Sequence, residues 1–197
     1  MKILGISRGT KYSPNLANSD AAIFSTVVKE LQESGHEVET IHENEMLQQD
    51  YAAFDKVFTM ARDGETLIAL ENNASEETRK KFVNSINGTL TCTDKSVMAS
   101  LMLEEGIPQP DFCYGKKRNL VKSSVENYTD LTTPLWLKNC DSSAITADDT
   151  IFCSTEEEGN KAFRNFEERG VDTWIAQSHQ NGDLIKFYGV EGTDFFH

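Results

Sequence analysis

The stretch CTDKSVMASLMLEEGIPQP, from Cys92 to Pro110, separates two parts of the chain that have different sequence patterns. Thr93 or Asp94 is placed to cap a helix whose apolar residues recur at helical spacing until Gly106. The two prolines that follow favour an extended chain, because a proline disfavours the helical conformation in the residue before it. We therefore expect a linker helix over residues 89–110 that leads into a second folding unit.

The residues before this stretch alternate short apolar runs with helical patterns. Such alternation predicts parallel strands joined by right-handed crossovers, and so a small open α/β lobe over residues 1–88. One helix should be capped by Ser19 or Asp20 and stopped by Gly35. A turn-rich segment at residues 84–88 marks the expected end of the lobe. Further patterns predict strands at residues 3–7, 38–41 and 56–60 and a second helix at residues 65–71.

The residues after Pro110 show a different order of elements, which predicts a mixed sheet of the α+β class over residues 111–197. Ser154 and Glu157 fit a capping box for a helix that Gly170 ends. Asn181 and Gly182 lie between the last two apolar runs, and this pair predicts a hairpin. The strand patterns lie at residues 111–115, 134–138, 150–153, 174–179 and 184–190.

Composition and charge narrow the possible functions. The 197 residues are 38% hydrophobic, and the formal net charge is −13. This charge argues against a protein that grips nucleic acid or an anionic membrane, because both need a positive field. No apolar run approaches the roughly 20 residues that cross a bilayer. The four cysteines lack the Cys-x-x-Cys spacing, and no secretory signal opens the chain, so we expect a cytoplasmic protein with reduced thiols.

Three lysines are candidates for a phosphate site. Lys138 and Lys186 lie within apolar strand patterns, and Lys95 lies at the start of the linker helix. A lysine in a strand can also extend outward into solvent, and that alternative stays open for each of them. If the three converge, they suit the phosphates of ATP, for which lysine is a good point charge. The phosphate-loop motif and the dinucleotide fingerprint are both absent from the sequence.

Several segments, in their order and spacing, resemble the ATP-grasp superfamily. The resemblance implies that Lys95 and Lys138 hold phosphate oxygens of ATP. It also implies that Gln177, with the backbone of Ser178, contacts adenine, and that Lys186 faces phosphate or the acceptor substrate. The segments that carry the resemblance are residues 84–85, 92–95, 106–110, 134–138, 175–179 and 186–190.

The acceptor is an unidentified small molecule in this interpretation. Arg8 and Arg62 follow strands of the first lobe, and ligands bind outside the carboxyl ends of strands in open α/β sheets. His179 is a third candidate for the substrate, because a histidine lies near this place in the inositol phosphate kinases of the superfamily. A structural role for His179 stays open.

The chain also departs from the ATP-grasp pattern. The family often has a glycine-rich flap over the phosphates, whereas residues 139–147 contain no glycine, and Gln177 stands where many members have glutamate. The family also continues beyond residue 197 to its magnesium ligands, so we expect a C-terminally incomplete ATP-grasp domain. Asp141, Asp148 and Asp149 are the acidic candidates for a metal, with a solvated turn as the alternative reading of them.

The resemblance implies an ATP-dependent ligase that uses ATP and Mg²⁺ to join a carboxylate to an amine or thiol through an acylphosphate. An inositol-phosphate-type kinase is the first alternative. If residue 197 is the natural end, a non-catalytic nucleotide-binding or interaction module is the second. The exposed last hairpin could in that case associate with a second copy of the chain, since an open strand edge invites pairing.

Overall fold

The computed structural model of the protein describes residues 1–10, 16–117, 119–123, 131–140, 145–190 and 192–197. The helices of this part are α1 (Ala17–Glu33), α2 (Gly64–Asn73), α3 (Glu76–Arg79), α4 (Ile86–Thr93), α5 (Lys95–Glu104) and α6 (Glu156–Glu168). The strands are β1 (Lys2–Ser7), β2 (Glu37–His42), β3 (Lys56–Thr59), β4 (Phe82–Val83), β5 (Phe112–Lys116), β6 (Asn119–Ser123), β7 (Leu135–Asn139), β8 (Thr150–Cys153) and β9 (Thr173–Ser178).

The first sheet is parallel, as the alternating pattern predicts, and its strand order is β2-β1-β3-β4. The short strand β4 lies outside the strand patterns of the sequence. Leu4, Ile6 and Val57 point to one face, where they pack with Leu67 of α2 and Phe82 of β4. Helix α1 lies against the other face. These contacts form the core of the first lobe.

The start of α1 differs from the prediction. The helix begins at Ala17 with Leu16 at the N-cap position, so the assignment of Ser19 or Asp20 as the cap is wrong. Asp20 lies inside the first turn, where its carboxylate pairs with the guanidinium of Arg8. The predicted end is confirmed, because Gly35 takes the positive φ of 82° that follows many helices.

Two helices connect the lobes. Helix α4 begins inside the segment predicted as a turn, and the Ser85 hydroxyl caps it by accepting the Gly88 amide at 3.0 Å. Helix α5 is capped by Asp94, which accepts the Ser96 and Val97 amides at 2.8 and 3.1 Å. The predicted cap of the linker helix is therefore confirmed. The division at residues 88 and 110 stays a prediction, since α4 runs across residue 88.

The second sheet is antiparallel between all paired strands and has the order β6-β5-β9-β7-β8. The apolar residues of α6, Ala162 and Phe166, cover one face of it, which carries Leu137 and Trp174. On the opposite face, Ala99 of α5 packs against Phe112 of β5, Ile175 of β9 and Cys140, the residue that follows β7. The second sheet is thus held between α6 and the linker helix α5.

Three sequence predictions for this lobe need correction. Strand β6 lies outside the strand patterns that the sequence shows. The cap of α6 is Thr155, whose hydroxyl accepts the Glu158 amide at 3.2 Å, one residue later than the predicted Ser154 and Glu157. The last predicted hairpin is wrong, because both edges of β9 are already paired, with β5 and with β7. Residues 184–190 and 192–197 instead lie against each other, and Tyr188 and His197 exchange two backbone hydrogen bonds of 2.9 Å.

A buried carboxylate holds the turn before β8. Asp149 is 2% exposed and accepts hydrogen bonds from Asn139, Arg169 and the backbone amides of Ile145 and Thr146. Burial alone would raise the pKa of Asp149, but these hydrogen bonds hold it well below its usual range. Asp149 is therefore a structural residue with its oxygens already engaged. Asp141 lies outside the described residues.

We predict that Asp149→Asn lowers the free energy of unfolding by about 3 kcal/mol at pH 7, because Arg169 loses its buried partner. A depressed pKa stabilises the fold above the ordinary aspartate pKa of about 3.9. The contribution is lost as the pH falls below that value, so the gap between wild type and variant should narrow. Urea unfolding at pH 7 and at about pH 3, which lies below the ordinary aspartate pKa, measures this. Asp148→Asn, at an exposed neighbour, should change little, and an equal loss for both variants would contradict the prediction.

Candidate functional site

The site lies on the face of the second sheet that α6 does not cover. Trp136 pairs with Gln177 and Lys138 with Ile175 across the β7–β9 ladder. Alternation along the two strands places these four side chains on one face. The Lys138 ammonium donates a 2.7 Å hydrogen bond to the side-chain oxygen of Gln177. Two of the predicted site residues are thereby in direct contact.

Lys95 joins this pair from α5. It is the first residue of the helix, and its ammonium donates a 2.9 Å hydrogen bond to the carbonyl oxygen of Asn139. Asn139 follows Lys138 in β7, so the two lysines meet at the end of this strand. The cap at Asp94 fixes where the helix begins and therefore where Lys95 stands.

The two lysines interact electrostatically. Burial lowers the pKa of Lys138, and the nearby positive charge of Lys95 lowers it further. Gln177 accepts a hydrogen bond from Lys138 but carries no charge to offset it. A negatively charged ligand would relieve the repulsion between the ammonium groups, so the arrangement is suited to an anion.

Aromatic residues border the lysines on the same face. The indole N–H of Trp136 donates to Nδ1 of His179 at 3.1 Å, and the Phe152 ring lies edge-on to the imidazole with centroids 5.1 Å apart. In this arrangement the Nδ1 atom of His179 is an acceptor, so a proton of the neutral ring lies on Nε2. The three rings form an apolar border beside Gln177.

The other predicted residues of the second lobe do not join this cluster. The backbone N–H of Ser178 donates to the Asp111 carbonyl at 2.8 Å, and its hydroxyl accepts from Gln180 at 3.0 Å. Lys186 lies on the exposed segment after β9. The structure thus brings Lys95, Lys138 and Gln177 together, whereas Lys186 is exposed on a segment outside the sheet.

In the first lobe, a residue that the sequence analysis did not single out organises the loops at the carboxyl ends of the strands. Glu43 is buried directly after β2 and accepts the backbone N–H groups of Gly9, Arg62 and Asp63. It therefore ties the loop after β1 to the loop after β3. A glutamate after a strand is a common surface residue, so its sequence position gave no signal of this role.

The two arginines proposed for the acceptor differ in their surroundings. The Arg8 guanidinium is engaged with Asp20 and with the Gly9 carbonyl. Arg62 is exposed, and Glu43 fixes its backbone through a 2.8 Å hydrogen bond. Arg62 is therefore the more accessible of the two.

The described residues contain no group of three histidine, cysteine or acidic side chains placed to hold a metal ion. These residues do not provide the magnesium site that the sequence resemblance implies. Asp149 is one of the acidic candidates, but its buried oxygens already accept hydrogen bonds within the protein. The part of the chain that the structure describes also has no helix long and apolar enough to cross a membrane.

No protein-family model matches this sequence, and no curated protein is similar to it by sequence. Solved structures do resemble it. The D-alanine–D-alanine ligase of Bacillus anthracis complexed with ATP is 14% identical, with a TM-score of 0.63 over 92% of this chain and 57% of that one. The D-alanine–D-alanine ligase of Coxiella burnetii is 16% identical, with a TM-score of 0.64 over 92% and 64%.

A third similar structure is the RimK domain ATP-grasp protein of Sphaerobacter thermophilus, which is 11% identical with a TM-score of 0.60 over 93% of this chain and 66% of that one. These likenesses show that the chain has an ATP-grasp fold, and the predicted fold class is confirmed. The chain spans less than two thirds of the length of each of these structures.

We predict that Gln177→Glu raises the pKa of Lys138, because the added carboxylate favours the charged ammonium. Lys95→Ala should also raise it, since the variant removes a like charge. Both changes can be followed by NMR titration of the Lys138 side-chain carbon shifts. Lys29→Ala, on the exposed surface of α1, is the control and should leave the titration unchanged. An unchanged pKa in both site variants would show that the three groups do not interact.

Proposed function

We propose that the protein binds ATP on the face of the second sheet that carries Lys95, Lys138 and Gln177. One observation carries this proposal: two ammonium groups are held at the end of β7, and the partner of Lys138 is a neutral amide. Such a pair attracts a polyanion, and the triphosphate of ATP supplies several oxygens for it. The ATP-grasp fold and the similar ligase complexed with ATP support the choice of nucleotide.

We assign Lys95 and Lys138 to the phosphate oxygens and Gln177 to the adenine side of the nucleotide. The Gln177 amide can both donate and accept, which suits the edge of a purine. The aromatic border of Trp136 and His179 lies on that side of the lysines. Ser178 stays a candidate beside Gln177, although its backbone N–H is already engaged in the sheet.

The reaction that we propose is ligation. The carboxylate of an acceptor attacks the γ-phosphorus of ATP, and ADP leaves. The acylphosphate is then attacked by an amine or thiol, which releases phosphate. Lys95 and Lys138 would hold the phosphates in position and offset the negative charge on their oxygens. Magnesium would supply further neutralisation when bound, but the described residues do not provide its site.

We predict that ATP binds the wild-type protein and that Lys138→Ala weakens binding by roughly tenfold or more, as expected for a partly buried charge-assisted contact. Lys95→Ala should have a comparable effect. Isothermal titration calorimetry with and without Mg²⁺ provides the measurement, and Lys29→Ala is the control.

The affinity for ATP should also fall as the pH rises, because Lys138 then loses its positive charge. The pKa of Lys138 is lowered from the ordinary lysine value of 10.5, so this fall should begin at a lower pH than for an ordinary lysine.

The role of Lys186 is tested in the same titration. Its place on the exposed segment predicts a smaller effect of Lys186→Ala than of Lys138→Ala. If wild-type protein does not bind ATP under either condition, the proposed function fails. Transfer of the γ-phosphate to a hydroxyl rather than a carboxylate would support the kinase alternative.

We further propose that two copies of the chain associate through residues 184–197. The four aromatic residues of this segment, Phe187, Tyr188, Phe195 and Phe196, are 55–73% exposed. At about 150–250 Å² for each aromatic side chain, they leave roughly 500 Å² uncovered. Three exposed aliphatic residues (Leu184, Ile185 and Val190) bring the patch toward the ~800 Å² that each partner buries in a standard interface.

The charge of this segment permits contact between two copies. It contains Lys186, Glu191 and Asp194, so it is nearly neutral in a chain whose net charge is −13. Phe187 and Phe196 already stack with centroids 5.5 Å apart, which gives the patch a flat aromatic face. The same face on a second copy can pack against it with two-fold symmetry.

We predict that the wild-type protein forms dimers at micromolar concentration and that Phe187→Glu makes it monomeric, because a charge in the patch opposes burial. Sedimentation equilibrium measures both states. Leu47→Glu is the matched control, since Leu47 is 57% exposed in the first lobe against 65% for Phe187. A wild-type protein that stays monomeric at all concentrations would refute the association.

A further inference from the structure

The first lobe contains a cavity of about 540 Å³ beside the carboxyl end of β3. Its walls come from α1, β3 with the loop that follows it, and α4. Ile23, Val27, Phe58 and Met60 give it an apolar surface, and the Phe58 ring is fixed by stacking on Phe24 with centroids 5.7 Å apart. The volume lies within the range of small-molecule sites, roughly 300–1,000 Å³.

The charge of this cavity differs from that of the rest of the chain. Arg62 is the one charged residue among its described lining residues, and no carboxylate lines it there. Asn84 and Thr89 add neutral polar groups. In a chain with a net charge of −13, a cavity whose described lining residues carry one guanidinium and no carboxylate favours an anion.

Backbone contacts hold the loop that presents Arg62. The buried carboxylate of Glu43 accepts the Arg62 amide at 2.8 Å, and the hydroxyl of Thr59 accepts the Ala61 amide at 3.1 Å. Both contacts join groups of the protein itself and need no group from a ligand. The loop is therefore set before binding, which reduces the entropy cost of ordering it.

We propose that this cavity binds the acceptor as a small carboxylic acid with a compact apolar body and no amino group. The inference rests on the proposed ligase function and specifies its substrate class. A guanidinium pairs with a carboxylate through two parallel hydrogen bonds, and the apolar walls receive the hydrocarbon body. An α-ammonium group would find no carboxylate among the described lining residues, so an amino acid fits this cavity less well.

The cavity also lies close to the phosphate lysines along the chain. Cys92 of α4 lines it, and Lys95 follows three residues later. Three residues span at most about 11 Å, so the backbone of Lys95 is within that distance of the cavity wall. A carboxylate held here is near the place where we put the phosphates of ATP.

Cys92 provides a direct test of occupancy. It is exposed, whereas Cys113, Cys140 and Cys153 are buried, so a thiol reagent such as DTNB should label Cys92 first. The probes are 4-methylpentanoate, its amide and leucine, which share one hydrocarbon body. We expect 4-methylpentanoate at millimolar concentration to slow labelling about tenfold, because its carboxylate pairs with the guanidinium of Arg62. The amide lacks this carboxylate, and leucine carries an ammonium group that meets no carboxylate among the described lining residues, so both should have little effect.

Variants show whether the protection depends on the cavity charge. Arg62→Gln should abolish protection by 4-methylpentanoate, while Arg164→Gln, at an exposed arginine of α6, should keep it. The thermal unfolding midpoint of each variant shows that it is folded. Equal protection by the amide or by leucine, or full protection in Arg62→Gln, would overturn the assignment of the acid class.

ATP titrations of the same samples separate this inference from the proposed function. If ATP binds and no carboxylate protects Cys92, the cavity assignment is overturned and the ATP site stands. If 4-methylpentanoate protects Cys92 and ATP does not bind, the cavity assignment is supported and the proposed function fails. If neither ligand has an effect, both are overturned.

Discussion

The position of β9 between β5 and β7 is the constraint on which the second lobe depends. Because β9 pairs on both edges, it fixes which side chains of the neighbouring strands share a face. The ladder with β7 places Lys138 next to Gln177, and the covering of the other face by α6 directs the apolar residues away from them. The same pairing leaves no free edge on β9, so residues 184–190 cannot form a hairpin with it.

Three local features fix helix α5 on this sheet. Asp94 caps the helix, and the next residue, Lys95, reaches the end of β7. One turn later, Ala99 packs against Ile175 and Phe112. A change in the cap would therefore affect both the packing of α5 on the second sheet and the position of Lys95. The helix is short, so its stability comes mainly from these tertiary contacts.

The sequence predicted those helix ends that depend only on interactions between neighbouring residues. The cap at Asp94 and the stops at Gly35 and Gly106 depend on side-chain hydrogen bonds or on a positive φ, which neighbouring residues reveal. The Asn181-Gly182 pair is also a local signal, but it does not reveal that β9 has no free edge. The failure of the last hairpin prediction follows from strand order, which is a non-local property.

Prediction of the candidate site from the sequence is limited in the same way. The strand pattern placed Lys138 and Gln177 in separate elements, and the resemblance proposed a role for each, but only the register of β7 and β9 brings them into contact. Glu43 could not be predicted, because its three backbone partners come from loops distant in sequence. Its carboxylate replaces the hydrogen bonds that these buried amides would make with water.

Placing the Lys138 ammonium in this environment has a free-energy cost. A costly buried charge indicates a functional role rather than a structural one. Burial and the charge of Lys95 both disfavour the ammonium form, and the pKa of Lys138 is lowered as a result. A hydrophobic residue at this strand position would avoid the cost, since neighbouring positions such as Leu137 are filled by apolar side chains. Charged groups with shifted pKa values are concentrated at functional sites, where a ligand of opposite charge can offset the cost of burying them. Gln177, the direct partner of Lys138, is neutral, and Lys95 adds a second positive charge. Cys140 favours the ammonium form but offsets these effects only in part, since the pKa of Lys138 remains lowered. An anion would complete the compensation, and this is the role that we propose for the phosphates of ATP.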